Sequence, residues 1–469
     1  MWVPLLTDLL LYLLLAGLTT YGFITLRSAR LREPWRRVFA RPVGAATAVM
    51  LLAFLAVAVL DSVHYKPPVT NDDGTVERYG PEVISLFDAL VTPLRVHDEK
   101  TYSAPFATRL YVREMVTQDD GTVAFVYQPL RYGGSLLQED TTRRADLLAK
   151  ALRGFGWGAL AAAGVTLAAL AVAMALTRRR FTILLHTLLR GRTQVAWRSM
   201  WLVTVLLLIG IGMLVSLSDG YHVLGTDKIG QDVLYMTLKS IRTGMLIGTL
   251  TTLVMLPFAL LLGPMAGYFR GWVDDVIQYV YTTLSSIPGV LLIVAAILAL
   301  QVYMQNHPDL FDSAAARADI RLLFLCIILG VTSWSSLCRI LRAETLKLVQ
   351  IEYVQAATAL GVGHFRILGR HIVPNVMHLV LIQIVLDFSA LVLAEAVLSY
   401  IGVGVDPTTF SWGSMINSAR LELARDPIVW WPLAAAFLFM LVLVLSANLF
   451  SDAVRDAFDP RLRHGVATS

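Results

Sequence analysis

The sequence predicts an all-α polytopic membrane protein that carries a small α+β domain outside the membrane. Hydrophobic residues make up 56% of the 469-residue chain and charged residues only 16%, whereas soluble domains carry roughly 25% charged residues. About nine stretches are apolar enough to cross a bilayer, which takes roughly 20 residues of helix. One long polar segment, residues 61–154, interrupts them.

The predicted membrane spans are 3–26, 43–60, 155–176, 200–217, 243–267, 274–300, 320–338, 376–402 and 428–450. The first span has no basic residues before its apolar run and carries Asp8 near its start, so we expect a retained helix and not a signal peptide. Trp430 and Trp431 stand at the predicted outer end of the last span, where aromatic rings prefer to lie. Cys326 and Cys338 are twelve residues apart on one predicted helix, about 18 Å, which excludes a disulfide between them.

Basic residues set the predicted orientation. They cluster in the loops 27–42, 177–199 and 339–375. If the spans simply alternate, all three loops lie on the same side, which the positive-inside rule makes cytoplasmic. The N-terminus is then outside and the C-terminus cytoplasmic. Because the arginines stand beside apolar spans, the net charge of +5 needs no nucleic-acid partner.

The polar segment 61–154 lies outside in this topology. Its sequence predicts a turn at 71–74, an amphipathic helix at 81–96, a β-hairpin from strands 110–116 and 122–127 around 119–121, and a helix at 141–153 that continues into the next span. His64 and His97 stand alone in the sequence, so we expect no metal site here. We find no catalytic set in the segment.

The most informative segment lies between the predicted seventh and eighth spans. Residues 352–375 read EYVQAATALGVGHFRILGRHIVPN. Glu352 and Tyr353 begin the segment, and the small residues Ala356 and Ala357 follow. Gly361 and Gly363 then break the helix, and His371, Pro374 and Asn375 are expected to close the loop. We expect a helix, a turn at the glycines and a loop that closes at His371–Asn375. A cytosolic helix-turn-helix in a membrane protein is typical of a docking site for a soluble partner.

This segment resembles the coupling loop, or EAA loop, of permease subunits of binding-protein-dependent ABC importers. The pattern EYV-x-AA-x-x-x-G, ending in RH-x-x-PN, is similar to the dipeptide/oligopeptide/nickel branch of that family. Gln355 stands directly before the two alanines, where the strict loop has Glu. The resemblance implies that residues 344–375 bind in a groove on an ATPase subunit.

A second motif follows the fourth predicted span. Residues 222–234 read HVLGTDKIGQDVL and resemble the family segment H-x-LGTD-x-x-GRD-x-L, with Gln231 in place of the usual Arg. In the family this segment lies on the outer face, which agrees with the predicted orientation. The candidate residues of this outer loop are His222, Gly225, Thr226, Asp227, Gly230 and Asp232.

Further matches to the family extend the resemblance over residues 200–463. They are GWVDD at 271–275, Ser285, Ser286 and Pro288, EAVLSYIGVG at 395–404, Trp412 and Gly413, Asn448, Asp456, and the closing Asp459, Pro460 and Arg461. This resemblance implies a type I permease core over 200–463. Residues 1–60 are then two additional membrane helices, 61–154 the external domain, and 155–199 a third additional helix with a basic cytoplasmic loop.

Two acidic residues lie inside the predicted span 376–402. Asp387 is near mid-membrane and Glu395 near the outer end, where a carboxylate is tolerated only beside protein or water. We consider Ser285, Ser286, Pro288, Asp387 and Glu395 candidates for lining the pathway or its gate. An alternative is that Asp387 and Glu395 serve an ion-coupled secondary transporter. Another is that the chain is a membrane-anchored sensor or scaffold.

The resemblance implies one transport subunit of an ATP-driven importer in the bacterial inner membrane, surrounded by lipid. Its expected partners are a homologous second permease, two ABC ATPase subunits and an extracytoplasmic substrate-binding protein. No Walker A pattern occurs in the sequence. ATP and Mg²⁺ are therefore expected in the ATPase subunits, and this chain is expected to hold no cofactor and to have no enzymatic activity of its own.

Overall fold

The computed structural model describes residues 2–70, 76–80, 83–117, 123–134, 142–178, 194–308 and 313–458. Some predictions concern residues outside these ranges. They are the turn at 71–74, the hairpin tip at 119–121, the basic residues Arg179, Arg180, Arg190 and Arg192, and the closing Asp459, Pro460 and Arg461.

Helices account for most of the described chain. In chain order they are α1 (Leu6–Arg27), α2 (Ala29–Ala40), α3 (Pro42–Asp61), α4 (Leu86–Leu90), α5 (Thr92–Val96), α6 (Arg143–Thr177), α7 (Trp197–Ser218), α8 (Val233–Phe269), α9 (Gly271–Ser286), α10 (Gly289–Asn306), α11 (Ala314–Leu348), α12 (Glu352–Ala359), α13 (His364–Ile367), a π-helix (Leu368–Ile372), α14 (Val373–Tyr400), α15 (Trp412–Glu422) and α16 (Trp431–Phe458). The described strands form antiparallel pairs, β1 (His64–Tyr65) with β4 (Ile84–Ser85), β2 (Pro68–Thr70) with β3 (Val76–Tyr79), and β5 (Glu114–Thr117) with β6 (Val123–Val126).

Nine helices within the described ranges are long and apolar enough to cross a membrane. They are α1, α3, α6, α7, α8, α10, α11, the continuous helix His364–Tyr400 that comprises α13, the π-helix and α14, and α16. The predicted fold class is therefore confirmed, including the small strand content of the external segment.

The single span predicted at 274–300 is wrong. Helix α9 ends at Ser286 and α10 begins at Gly289, with Ile287 in an extended conformation between them. Pro288 explains the interruption, because proline lacks an N–H for the helix and disfavours helical torsion angles at the residue before it. Only α10, with 18 residues, remains as a candidate span here.

The chain forms two compact units. The first comprises Arg36–Arg242 and Phe410–Ser446, and the second comprises Val3–Trp35, Thr243–Thr409 and the residues that follow Ser446. Helices α8 and α16 each contribute residues to both units.

In the first unit, α6 packs closely on α7 through glycines. A Cβ atom at Gly158 would lie 2.6 Å from the Cα atom of Ile209, and one at Gly154 would lie 2.6 Å from the carbonyl oxygen of Gly212. Small residues allow membrane helices to approach in this way. Helix α3 also contacts α7, so two of the additional helices pack on the helix at which the resemblance to the family begins.

The external segment, residues 62–142, belongs to the first unit. Its predicted hairpin is confirmed, with Met115 opposite Phe125, and α6 begins at Arg143 and continues into the membrane span as expected. The single helix predicted at 81–96 is wrong. Ser85 caps a new helix, α4, through a capping box with Asp88, and Pro93 lies at the N-terminus of a separate helix, α5, where proline is favoured.

In the second unit, α1 packs against α11. The backbone N–H of Thr7 donates to Asp319 Oδ2 at 3.2 Å, and the Thr7 hydroxyl donates to the same carboxylate. Leu11 of α1 joins a buried cluster with residues of α8, α10, α11 and α14. Cys326 and Cys338 are free and buried on α11, so no disulfide joins them.

Candidate functional site

The coupling segment, residues 344–375, is built around the short helix α12. Val354 and Ala357 are buried on one face of α12 and pack into a core with Leu348 and Ile367. Glu352 and Ala356 are exposed on the other faces. Ala356 and Ala357 therefore differ in role, because adjacent helical residues point in directions about 100° apart.

A turn at Gly361 follows α12. Gly361 has φ +75°, and a Cβ atom there would meet nothing within 4 Å. Glycine is therefore required by the backbone conformation and not by crowding, which confirms the predicted turn. Leu360 and Phe365, on either side of the turn, are 83% and 77% exposed, so the tip of the segment presents apolar side chains.

The predicted loop closure at His371–Asn375 is wrong, because His371, Pro374 and Asn375 lie in the continuous helix that begins at His364. The π-helix Leu368–Ile372 precedes Pro374. A π-helical turn shifts the hydrogen-bond pattern by one residue, which lets the helix continue past a residue without an N–H. Asn375 Nδ2 donates to the Tyr353 hydroxyl at 2.9 Å, so this contact joins the two ends of the motif.

The C-terminal end of α8 contacts the coupling segment. The Tyr268 hydroxyl lies 2.8 Å from His364 Nδ1, and Phe269 makes edge contacts with the rings of His364 and Phe365. The coupling segment is thus held by α8 as well as by its own flanking helices.

The outer loop, residues 222–232, is organised by two aspartates. Asp227 Oδ1 accepts hydrogen bonds from the N–H groups of Ile229 and Gln231, which closes the turn. Asp232 Oδ1 accepts from the N–H groups of Leu234 and Tyr235 and so caps the start of α8. The side chain of Gln231, where the family has Arg, plays no part in these bonds.

The external segment packs directly on the outer loop. Thr226 and Ser103 exchange hydrogen bonds, since Thr226 N–H donates to Ser103 O at 3.0 Å and Ser103 N–H donates to Thr226 Oγ1 at 2.6 Å. A Cβ atom at Gly225 would lie 2.4 Å from Ser103 O, and one at Gly230 would lie 1.7 Å from Glu99 O. Both glycines also have positive φ, so close approach and backbone conformation each require glycine.

His222 is buried between two carboxylates. Its Nδ1 atom lies 2.7 Å from Asp232 Oδ2, and its Nε2 atom lies 3.4 Å from Glu99 Oε1. Burial lowers the pKa of His222, but the hydrogen bonds and charges of Asp232 and Glu99 raise it by more, to about 9. His222 is therefore charged at neutral pH.

Glu99 also accepts hydrogen bonds from the backbone. The backbone N–H groups of Arg131, Tyr132 and Gly133 donate to its two oxygens at 2.8 to 3.1 Å. Burial raises the pKa of Glu99, but the hydrogen bonds from His222 and from these N–H groups lower it to about 2. We call the three side chains Glu99, His222 and Asp232 the outer clasp, because they fasten the external segment to the outer loop.

Trp431 lies at the start of α16, the predicted end of the last span, but its ring is buried in the protein. It is 2% exposed, its Nε1 atom donates to Thr226 O at 2.9 Å, and its ring meets that of Tyr111 edge-on at 4.8 Å. Trp430, by contrast, is 55% exposed. Trp431 thus supports the outer loop from the start of α16.

A second buried network joins the external segment to α8. Lys239 Nζ lies 2.6 Å from Asp61 Oδ1 and 2.9 Å from Asp88 Oδ1, and the Tyr235 hydroxyl donates to Asp88 at 2.9 Å. Burial raises the pKa of Asp88, but the charge of Lys239 and the hydrogen bonds to the carboxylate lower it overall. The end of α3, the helix α4 and the first turns of α8 are therefore held together by charge.

The candidate residues near the end of α9 have local partners. Arg339 donates to Ser285 Oγ at 3.1 Å, and Ser286 donates to the backbone oxygen of Thr283. Asp274 forms a bidentate ion pair with Arg342, with both N–O distances at 2.6 Å. The hydrogen bonds from Arg342 lower the pKa of Asp274.

The two acidic candidates on α14 lie in different surroundings. Asp387 is half-buried and accepts a hydrogen bond from Gln383, one turn earlier, at 2.8 Å. Its Oδ2 atom is buried and has no hydrogen-bond partner among the described residues. Glu395 is 1% exposed and accepts from Ser399 at 2.6 Å. No cluster of His, Cys, Asp and Glu suited to a metal occurs in the described ranges.

Comparison with known proteins gives the family. Residues 255–464 match the binding-protein-dependent transport system inner membrane component. The chain is 35% identical over 248 residues to the oligopeptide transport system permease protein OppC of Mycobacterium tuberculosis, covering 52% of this chain and 79% of that protein. The chain belongs to the ABC importer permease family.

Other relatives of this permease support the same membership. It is 30% identical over 243 residues to the glutathione transport system permease protein GsiD of Pectobacterium atrosepticum, covering 52% of this chain and 73% of that protein. It is 29% identical over 242 residues to the dipeptide transport system permease protein DppC of Bacillus subtilis, covering 52% of this chain and 69% of that protein. Nearly half of the permease lies outside these alignments.

Sequence reasoning missed Glu99 and Lys239, which hold the external segment to the rest of the permease, and gave Trp431 a different role. Glu99 is 123 residues from His222, so no local pattern pairs them. Lys239 offered a usable signal, because a lysine in the first turns of a long, mostly apolar helix requires a partner.

Proposed function

We propose that this permease forms half of the translocation pathway of an importer for di- or oligopeptides. In this proposal a homologous permease supplies the other half, two ATPase subunits bind the coupling segment, and an extracytoplasmic binding protein delivers the substrate. The relatives reported above are named for oligopeptide, dipeptide and glutathione transport, and glutathione is itself a short peptide. ATP and Mg²⁺ belong to the ATPase subunits, because this sequence has no Walker A pattern.

The coupling segment is the observation that carries the proposal. One side of α12 is fixed by buried contacts of Val354 and Ala357, while Leu360 and Phe365 expose apolar surface at the tip. Exposed apolar side chains on a rigid support favour a protein partner. In a membrane transport subunit without its own ATPase motif, that partner is the energy source.

The proposed orientation has residues 62–142 outside and the coupling segment in the cytoplasm. The basic loops support it through the positive-inside rule. The contacts of the external segment with the outer loop and with Trp431 add support, because segments that touch one another outside the bilayer share one side of it.

Purification and reconstitution test the proposal. The tagged chain, extracted from its native membrane, should bring an ABC ATPase and a second permease with it. The reconstituted complex should take up labelled di- or tripeptides only when ATP and the binding protein are present. Uptake that follows an ion gradient without any ATPase would refute the proposal and favour the ion-coupled alternative based on Asp387 and Glu395.

A further inference from the structure

Two membrane helices of the first unit begin side by side. Helix α3 begins at Pro42 and α7 at Trp197, and the two helices contact each other. The backbone N–H of Ala196 donates to the backbone oxygen of Phe39 at 2.8 Å, which holds the start of α7 against the end of α2. Both spans therefore enter the membrane at the same level.

Arginines surround this entry point. Arg36, Arg37, Arg41 and Arg198 are exposed, and we call these four side chains together with Trp197 the basic patch. Within the described residues, Arg36 and Arg198 take part in no hydrogen bond or ion pair. The sequence has no Asp or Glu in residues 34–60 or 178–218, so the two helix starts supply positive charge alone.

The position of the basic patch is that of lipid headgroups. Trp197 is 51% exposed at the start of its span, and aromatic rings prefer the membrane–water interface. Arginines beside a span lie at the same depth, where their guanidinium groups meet lipid phosphates. The partner of the basic patch is therefore sought in the membrane.

An exposed apolar stripe continues from the basic patch into the membrane. Arg198, Leu202 and Leu206 follow one another at intervals of four residues on α7 and so lie on one face of the helix. Leu202 is 44% exposed and Leu206 is 68% exposed. A cation at the surface and an open apolar stripe next to it match a phospholipid, in which a phosphate is joined to acyl chains.

We propose that the basic patch binds the phosphate headgroups of anionic phospholipids, with an acyl chain along Leu202 and Leu206. A guanidinium group donates two parallel hydrogen bonds to phosphate oxygens, and Arg36 and Arg198 have these donors available. In the proposed orientation the lipid belongs to the cytoplasmic leaflet. The inference goes beyond the proposed function, because it concerns the additional helices and the start of α7 and holds whatever solute is transported.

Lipid titration of the purified permease in detergent tests the basic patch. The probes are phosphatidylglycerol, which is anionic, and phosphatidylcholine, which has no net charge, and native mass spectrometry measures the dissociation constant of each. The parent should bind phosphatidylglycerol more tightly. Arg36→Gln and Arg198→Gln should each weaken that binding by about fivefold, the effect of one basic residue at an anionic membrane surface, and leave phosphatidylcholine binding unchanged.

Arg113→Gln is the matched control. It removes one exposed arginine from the external segment and should change the affinity for neither lipid. Equal affinity of the parent for the two lipids would overturn the inference. Equal effects of the Arg36, Arg198 and Arg113 substitutions would overturn it as well, because they would show a response to net charge and not to the basic patch.

Two further measurements separate lipid from other anionic partners. Inorganic phosphate at the concentration of the lipid should not displace phosphatidylglycerol, because it has no chain to cover Leu202 and Leu206. Displacement would mean that the basic patch takes a soluble anion. The Arg36→Gln and Arg198→Gln variants should also keep the ATPase subunits that copurify with the parent. Loss of these subunits with unchanged lipid affinity would make the basic patch a protein-docking surface and refute the inference.

Discussion

At the scale of single residues, Glu99 determines how the additional external segment is attached to the permease. Its carboxylate meets three backbone N–H groups and the His222 ring, and its side chain is 1% exposed. Removing this buried carboxylate leaves the three N–H groups without their acceptor and leaves Asp232 as the one carboxylate beside the imidazolium, which is costly.

We therefore expect Glu99→Ala to destabilise the first unit by about 3 kcal/mol. The measurement is the thermal unfolding of the purified permease in detergent. Glu114→Ala is the matched control in the same segment, because the Glu114 carboxylate pairs with Lys100, whose side chain is 61% exposed. Exposed pairs contribute roughly 0–1 kcal/mol. Equal effects of the two substitutions would contradict the role of the outer clasp.

The outer clasp also predicts a loss of stability at alkaline pH. The pKa of His222 is raised from 6.5 to about 9 in the folded protein, so its contribution is complete below pH 6.5 and is lost as the pH rises through about 9. Hydrogen exchange of residues 97–110 should therefore accelerate between these pH values beyond the intrinsic rate. His222→Gln should remove this pH dependence, and its persistence in that variant would exclude His222 as the cause.

At this scale, much of the outer loop could be predicted from the sequence, but the residues that contact it from distant parts of the chain could not. The glycines and aspartates of residues 222–232 stand in one short motif, so their shared role was visible. The role of Glu99 was not visible, because in the sequence a carboxylate that is buried 123 residues away from its partner His222 cannot be told from a surface glutamate. Trp431 was misassigned, because a tryptophan at the end of an apolar stretch has the same pattern whether it anchors a loop or lies among lipid headgroups.

At the scale of elements, the turn of the coupling segment depends on one backbone conformation. Gly361 and Gly363 both have open space at the Cβ position, but only Gly361 has positive φ. Gly361→Ala should therefore strain the turn by about 1–2 kcal/mol and weaken ATPase stimulation by the binding protein, and Gly361→Trp should abolish it in an assembled complex. Gly363→Ala should leave stimulation unchanged. Full stimulation of the Gly361→Trp complex would refute the docking role of this turn.

The pairing of α6 with α7 gives a second prediction for elements. A side chain at Gly158 would collide with the backbone of α7, whereas a Cβ atom at Gly156 meets nothing within 4 Å. Gly158→Leu should lower the thermal stability of the permease by about 1–3 kcal/mol, as expected for overpacking. Gly156→Leu, the matched control two residues earlier, should have little effect. The reverse order would show that α6 does not pack on α7 through this face.

Helix ends were the least predictable elements, and two of the three errors involve a proline in or beside a predicted membrane span. Pro288 lies inside the predicted span 274–300 but separates two helices, whereas Pro374 was expected to close a loop but lies inside a helix. The difference is in the surroundings. Ile287 is free to extend before Pro288, while the π-helix before Pro374 absorbs the missing hydrogen bond. A single sequence does not reveal which solution the packing allows.

At the scale of the whole molecule, orientation is the prediction that the basic loops support. With Cys326 and Cys338 fully buried, Lys100→Cys should react with an impermeant thiol reagent in intact cells, because Lys100 is exposed on the external segment. Gly363→Cys should react only after the membrane is opened. Labelling of Gly363→Cys from outside would reverse the proposed topology.

The membrane helices could be predicted at this scale because hydrophobic length is a local property. The division into two units could not, since it depends on contacts between distant parts of the chain. Residues 410–446 share a unit with the external segment through contacts such as that of Trp431 with Thr226. No sequence pattern within either stretch indicates that the two are in contact.

Helix α8 follows the outer loop and ends beside the coupling segment. Its first residues follow Asp232 of the outer clasp and include Lys239, and its last residues, Tyr268 and Phe269, touch the coupling segment. Pro257 and Pro264 lie in the half of α8 that is nearer the coupling segment. Each proline removes a backbone hydrogen bond of the helix and so favours a bend there. The conformation of α8 between Pro257 and Phe269 should therefore determine where Tyr268 and Phe269 hold the coupling segment.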